Sequence, residues 1–187
     1  MTTLPQRRSE KRRRCTDEPP DARSFRDALG GFATGVAFVA AAPGGEPAGL
    51  IVNSLTSVSL DPPLVSFCAS RTSFTWSRMR RTGRVGISIL GGRHELFAHR
   101  ATPAGADRFA CTEWELVRGL PLLDGALAWL ECQIVAEHAA GDHWIVVARV
   151  DRLRRSTGPD PLVFFGGAYR RLAPPEANPD ILDRHGA

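Results

Sequence analysis

The chain has 187 residues, 43% hydrophobic and 24% charged, enough for one globular domain with a sizeable core and without a composition shift that asks for two. Its formal net charge is +4, but residues 1–23 hold seven Arg/Lys against four acids, so the remainder is close to neutral and offers no basic face to a nucleic acid. No stretch approaches the roughly 18 uncharged apolar residues of a membrane-spanning helix, and the basic N-terminus leads into Asp17, Glu18 and two prolines rather than an apolar signal core; the expected location is the cytoplasm.

In chain order, residues 1–22 are polar, lack apolar periodicity and end near Pro19-Pro20, which predicts a disordered basic tail. Its Lys11-Arg12-Arg13-Arg14 run has no interleaved aromatic and reads as solvated. Phe25, Ala28, Leu29 and Phe32 recur at helical spacing, predicting a short helix over 25–32 that Gly30-Gly31 and Gly35 end. Residues 36–42 form an apolar run of strand length, and 43–47 a Pro/Gly turn.

The stretch 49–59 reads as one extended strand. Ile51, Asn53, Leu55, Ser57 and Ser59 share one side, and Leu50, Val52, Ser54, Thr56 and Val58 the other. Polar side chains on both sides need partners, because an unpaired buried polar group costs about 1–3 kcal/mol. Either a planar polar ligand or water at a fraying edge strand would supply them. Asp61-Pro62-Pro63 stops the strand and 64–69 forms a short buried one.

Ser70-Arg71-Thr72-Ser73 then precedes a helical FTWSRMRR segment, with Thr72 or Ser73 as its N-cap. Such a hydroxyl-rich loop is either a cap alone or a cap that also meets an anion. Residues 84–90 alternate as a strand, and 94–99 form a short helix. His94 and His99 stand five residues apart, about 140° round a helix, which does not suit a zinc pair.

Asp107-Arg108-Phe109 follows a Pro/Gly loop; 114–117 is a short strand and 121–125 a turn. Two long strands, 126–138 and 143–154, flank Ala139-Ala140-Gly141-Asp142 as a hairpin. His143 at its tip is either solvated or a ligand and proton-handling group beside Asp142. PLVFFGGAY, 161–169, closes the domain, and 173–187 is a proline-rich tail. Cys15, Cys68, Cys111 and Cys132 show neither CxxC nor His-paired spacing, and buried free thiols are expected. Many short strands with few helices predict a closed, mainly antiparallel barrel. The absence of GxGxxG after a strand and of a Walker loop argues against a Rossmann or kinase-type nucleotide site.

Taken together, FRDALGGFATGVAFV, GLIVNSLTSVSLDPPLVSFC, SRTSFTW, DRF, PLLDGALAWLEC, GDHWIVVARV and PLVFFGGAYRRL resemble the flavin reductase family with the FMN-binding split-barrel fold, over residues 23–172. The resemblance implies a mainly β, antiparallel split barrel of Greek-key-like order with a few short helices, between an N-terminal tail (1–22) and a C-terminal tail (173–187). It implies hydride transfer from NADH or NADPH to FMN or FAD, with reduced flavin supplied to a partner monooxygenase. By the same resemblance Asn53, Ser54, Ser57 and Ser59 line the isoalloxazine and ribityl site, and Ser70, Arg71, Thr72 and Ser73 hold the phosphate. Arg108 and Phe109 approach the phosphate end, and Gly141, Asp142 and His143 lie near the nicotinamide, which His143 would position. A homodimer with flavin sites near its interface is implied as well. Ile51 stands where the family usually has a threonine, removing one possible hydrogen bond to the ring. The other readings are a non-catalytic flavin-binding or redox-sensing protein on the same barrel, and a nucleic-acid-associated protein acting through the tail.

Overall fold

The computed structural model describes residues 19–102, 107–156 and 160–172; the tails expected at 1–22 and 173–187, with Cys15, fall largely outside them. The first helix, α1 (Ala22–Leu29), starts three residues earlier than the apolar spacing suggests. Asp21 sets the start: its Oδ1 accepts from the backbone N–H of Arg23 at 2.8 Å and of Ser24 at 2.9 Å, satisfying two donors of the first turn. No residue of α1 is buried, so Phe25 and Leu29 remain exposed, as does Phe32 beyond its end.

Two short strands open the body, β1 (Thr34–Gly35) and β2 (Ala37–Ala41). Every residue of β2 is buried, and the alternation of a strand sends them to two different cores. Ala37, Val39 and Ala41 pack inside the barrel, whereas Phe38 and Ala40 pack outside it beneath a helix. An unbroken apolar run is the signature of such two-sided burial. Gly49, on the next strand, lies where a Cβ would collide with the Phe38 ring, so close approach requires glycine there.

The main sheet has seven strands: β2, β3 (Ala48–Val52), β4 (Thr56–Leu60), β5 (Pro63–Ser70), β6 (Arg84–Ile89) and two later ones of thirteen residues each, β9 (Ala128–Ala140) and β10 (His143–Arg155). Their order is β3-β2-β6-β9-β10-β5-β4, with every pairing antiparallel. The two edge strands, β3 and β4, are consecutive in the chain and joined only by Asn53, Ser54 and Leu55. That connection reaches about 14 Å at most, whereas seven flat strands would separate their edges by about 29 Å. The sheet therefore curls until its edges meet, and the barrel stays split between β3 and β5, which do not pair as strands.

α2 (Phe74–Met79) plugs the barrel with Trp76 and Met79, both fully buried. On the outside, α3 (Glu95–Ala101), the hairpin of β7 (Trp114–Val117) with β8 (Leu120–Leu123), and the hairpin of β11 (Val163–Phe165) with β12 (Ala168–Arg170) cover the second core. β1 pairs with β11.

Three sequence expectations change. Residues 49–59 are not one strand: the chain breaks at 53–55 and continues as β4, with a bulge between Ser57 and Ser59. Most of the segment expected as a turn, 121–125, is strand β8, its leucines buried; the turn before it is Arg118-Gly119, both at positive φ (51° and 81°). A proline fits there because β8 pairs on one side only. Among the cysteines, Cys132 is buried, Cys68 half-buried and Cys111 exposed, all free. Burial, and after it the charges of Asp151 and Glu131, push the Cys132 thiol up to about 12.

Candidate functional site

The split in the barrel is a cleft. Beside the point where Ser54 Oγ accepts from Cys68 N at 2.9 Å lies a cavity of about 740 Å³ lined by residues of β3 and β5, within the size range of small-molecule sites. Leu50, Ile51 and Val52 form one wall, Cys68 and Ala69 the other, and Ile145 of β10 and Phe25 of α1 complete the apolar lining. Polar groups stand at the ends: Asn53 and Ser54 at the base, Ser70, Ser73 and His143 at the rim. β3 pairs only with β2, so along its other side alternate N–H and C=O groups face the cleft without strand partners. A flat, apolar-faced ring with a polar edge matches that donor set, which is the character of a flavin.

Residues 70 to 73 positions apart in sequence meet at the rim. His143, the first residue of β10, pairs with Ser70, the last of β5. The backbone N–H of Arg71 donates to the Asp142 carbonyl at 2.9 Å, and its Nη1 to the Gly141 carbonyl at 3.2 Å. The 70–73 loop and the 141–143 turn are thus one composite rim. Within it Ser70 Oγ lies 3.0 Å from Thr72 Oγ1, and Ser73 caps α2, its Oγ accepting from Trp76 N at 3.1 Å. Gly141 takes φ 59° in the tight turn, a conformation that glycine adopts without strain.

His143 Nδ1 lies 2.7 Å from Asp142 Oδ1. The hydrogen bond from His143, and then its charge, hold the Asp142 carboxyl below the usual carboxylate range. With Nδ1 turned to that carboxylate, Nε2 is the ring nitrogen that faces away from Asp142.

Other residues flagged in the sequence lie elsewhere. Ser57 and Ser59 stand on β4 beyond the break at 53–55; Ser57 is exposed, Ser59 half-buried, and neither lines the cleft. Arg108 lines a second chamber of about 270 Å³, which shares Leu50, Ile51 and Asn53 with the cleft. Its Nε donates to the Ala101 carbonyl at 2.8 Å. Phe109 sets its ring edge-on to Phe38 and Trp114, at 5.5 and 5.1 Å, and so seats the segment rather than lining the cleft. Arg71, Thr72, Gly141 and Asp142 belong to the rim without lining the cavity.

Sequence reasoning missed Cys68, Ala69 and Ile145 as cleft wall, and Thr102 with Tyr169 in the second chamber, where Tyr169 Oη lies 3.3 Å from Thr102 Oγ1. Strand pairing, and for Thr102 the end of α3, brings these residues in, so no local signal marks them. His94 is buried, with Nδ1 against the Gly91 backbone and Nε2 3.0 Å from the Asp124 carbonyl, while His99 packs edge-on to Tyr169 at 4.8 Å. Among the described residues no group of three or more His, Cys, Asp or Glu is placed to hold a metal, and no helix is long and apolar enough to cross a membrane.

The chain is similar to proteins of known activity. It is 44% identical over 155 residues to the NADH-dependent flavin reductase of Rhodococcus sp., covering 79% of this chain and 85% of that protein. It is 35% identical over 163 residues to the flavin-dependent monooxygenase reductase subunit HsaB of Rhodococcus jostii, covering 87% and 84%. In solved structures it superposes on the Streptomyces globisporus NADH:FAD oxidoreductase SgcE6 in complex with NAD and FAD fragments, with a TM-score of 0.80 at 36% identity, over 86% of this chain and 98% of that one. The profile of the flavin reductase like domain matches residues 29–173, and with the split barrel it establishes that the chain belongs to the flavin reductase family.

Proposed function

We propose that the protein takes hydride from NADH, passes it to FMN or FAD, and supplies the reduced flavin to a separate flavin-dependent oxygenase. The observation that carries this reading is the cleft itself, open between two strand edges with Asn53 and Ser54 at its base and His143 on its rim. Similarity to NADH-dependent reductases and to a monooxygenase reductase subunit supports the donor and the recipient.

Bound flavin supplies the hydride acceptor. Leu50, Ile51 and Ile145 would exclude water from its faces, and Asn53 and Ser54 would meet its polar edge. The hydroxyls of Ser70 and Thr72 would meet a phosphate, the Arg71 guanidinium being engaged by the Gly141 carbonyl and the Trp144 ring, and Arg108 would meet anionic charge entering the second chamber. Ile51 offers no side-chain hydrogen bond, so ring orientation would rest on Asn53 and the β3 backbone. His143, its Nδ1 fixed by Asp142, would hold the nicotinamide in the near-attack range, about 3–3.5 Å between reacting atoms.

We infer a homodimer, supported by the exposed Phe25, Leu29 and Phe32 around α1 and Val58 and Leu60 on β4. Sedimentation at 20.3 kDa in the presence of flavin would contradict it. The free thiols fit a reducing cytoplasm. Anaerobic stopped flow with FMN or FAD and NADH or NADPH tests the main reading. Rapid bleaching of the flavin with NADH is expected; flavin binding without bleaching by either nucleotide would make the protein a flavin carrier or sensor.

A further inference from the structure

His143 stands on a turn braced from beneath by side chains that reach the plug of the barrel. The Arg71 guanidinium carbon lies 5.4 Å from the Trp144 ring centroid, and that of Arg80 lies 4.8 Å from the same centroid. Arg80 Nη2 donates to Glu137 Oε2 at 2.7 Å, and Glu137 Oε1 accepts from Trp76 Nε1 at 3.0 Å. Trp76 is 1% exposed and packs edge-on against Phe67 at 5.4 Å. Arg71 closes the brace at the top through its two bonds to the Asp142 and Gly141 carbonyls. A run of contacts therefore leads from the buried plug through Glu137, Arg80, Trp144 and Arg71 to the turn.

Trp144 is the pivotal member. Strand alternation turns it away from the cleft that His143 and Ile145 line, and it packs against the barrel core instead. It therefore does not line the cleft. A guanidinium over an indole face is held by the ring quadrupole, and two of them fix the ring between loop and helix. A two-residue turn at the end of a long hairpin otherwise opens locally, and a positioning group must be held to about 0.5 Å.

We propose that Trp144 is a positioning residue for hydride transfer, setting the place of His143 over the cleft through Arg71 and Arg80. This rests on the role given above to His143. The test compares full-length wild type with Trp144→Ala, Trp144→Phe, His143→Ala and the Trp144→Ala/His143→Ala pair. It reads flavin Kd by fluorescence, NADH kcat and KM, and amide hydrogen exchange at Gly141 and Asp142 in ligand-free protein. Trp144→Ala is expected to lower kcat/KM for NADH at least fivefold, with flavin Kd within twofold and faster exchange at the turn. Trp144→Phe, which keeps an aromatic face, should recover most of both. The double variant should be no worse than His143→Ala, as for residues acting in series.

Full additivity of the two substitutions would overturn the inference, as would a flavin Kd that moves as far as NADH kcat/KM, or turn exchange unchanged in Trp144→Ala. So would a His143→Ala enzyme with normal NADH kinetics, although the reductase reading would then stand. Wild-type protein that bleaches no flavin would overturn both together.

Discussion

Ser54→Ala probes the hinge between structure and activity. Ser54 Oγ accepts from Cys68 N at 2.9 Å and ties the connection that follows β3 to β5 at the base of the split. Removing it leaves the Cys68 N–H without its partner. A fully buried orphan donor costs about 1–3 kcal/mol. Here the group is part-buried beside an open cleft, water can partly replace the hydroxyl, and the lower end, about 1 kcal/mol, applies. For a domain of this size that corresponds to a fall in Tm of about 2–4 °C.

The same loss lets the split widen where the ring would sit. If the bound state requires the closed split, flavin affinity falls by the same free energy, about fivefold. Ser54→Thr keeps an acceptor and should lose less than half as much. Calorimetry gives the first quantity and flavin fluorescence quenching the second. A Ser54→Ala protein with unchanged Tm and flavin Kd within twofold of wild type would refute the view that this bond closes the cleft.

Gly49→Ala drives a methyl group into the Phe38 ring between two cores and should cost about 1–3 kcal/mol, read as a lower urea midpoint. Asp142, whose carboxyl is held low by His143, should titrate below its ordinary value. Because the folded pKa is depressed, the stabilising pair is present above the unfolded pKa and lost as pH falls through the folded one. Carboxyl carbon chemical shifts across pH 2–6 check this, and His143→Ala should return Asp142 to the ordinary range. The Cys132 thiol, buried and pushed up to about 12, should react with a thiol reagent only after unfolding, whereas the exposed Cys111 should react in the native protein. Equal rates for the two would show that the barrel opens readily.

Much of the architecture was readable from local pattern. The run at 36–42 marked the doubly buried β2, and the alternation on either side of Gly141 marked the long hairpin, because strand period and turn chemistry act over a few residues. Of the residues flagged by the family motifs, Asn53, Ser54, Ser70, Ser73 and His143 line the cleft. Pattern was misleading where a neighbour decided: Asp21 moved the start of α1, a single free side allowed Pro121 into β8, and the edge of β5 drew residues 56–60 away from the line of 48–52. The residue types, their order and the family were determined by the sequence alone. Only the tertiary structure decided that β3 and β4 take opposite edges of one curled sheet, that Ser70 meets His143, and that Ser57, Ser59 and Phe109 stand away from the cavity while Cys68 and Ile145 line it. These are relations between residues far apart in the chain, set by strand pairing and closure, and no local spacing encodes them.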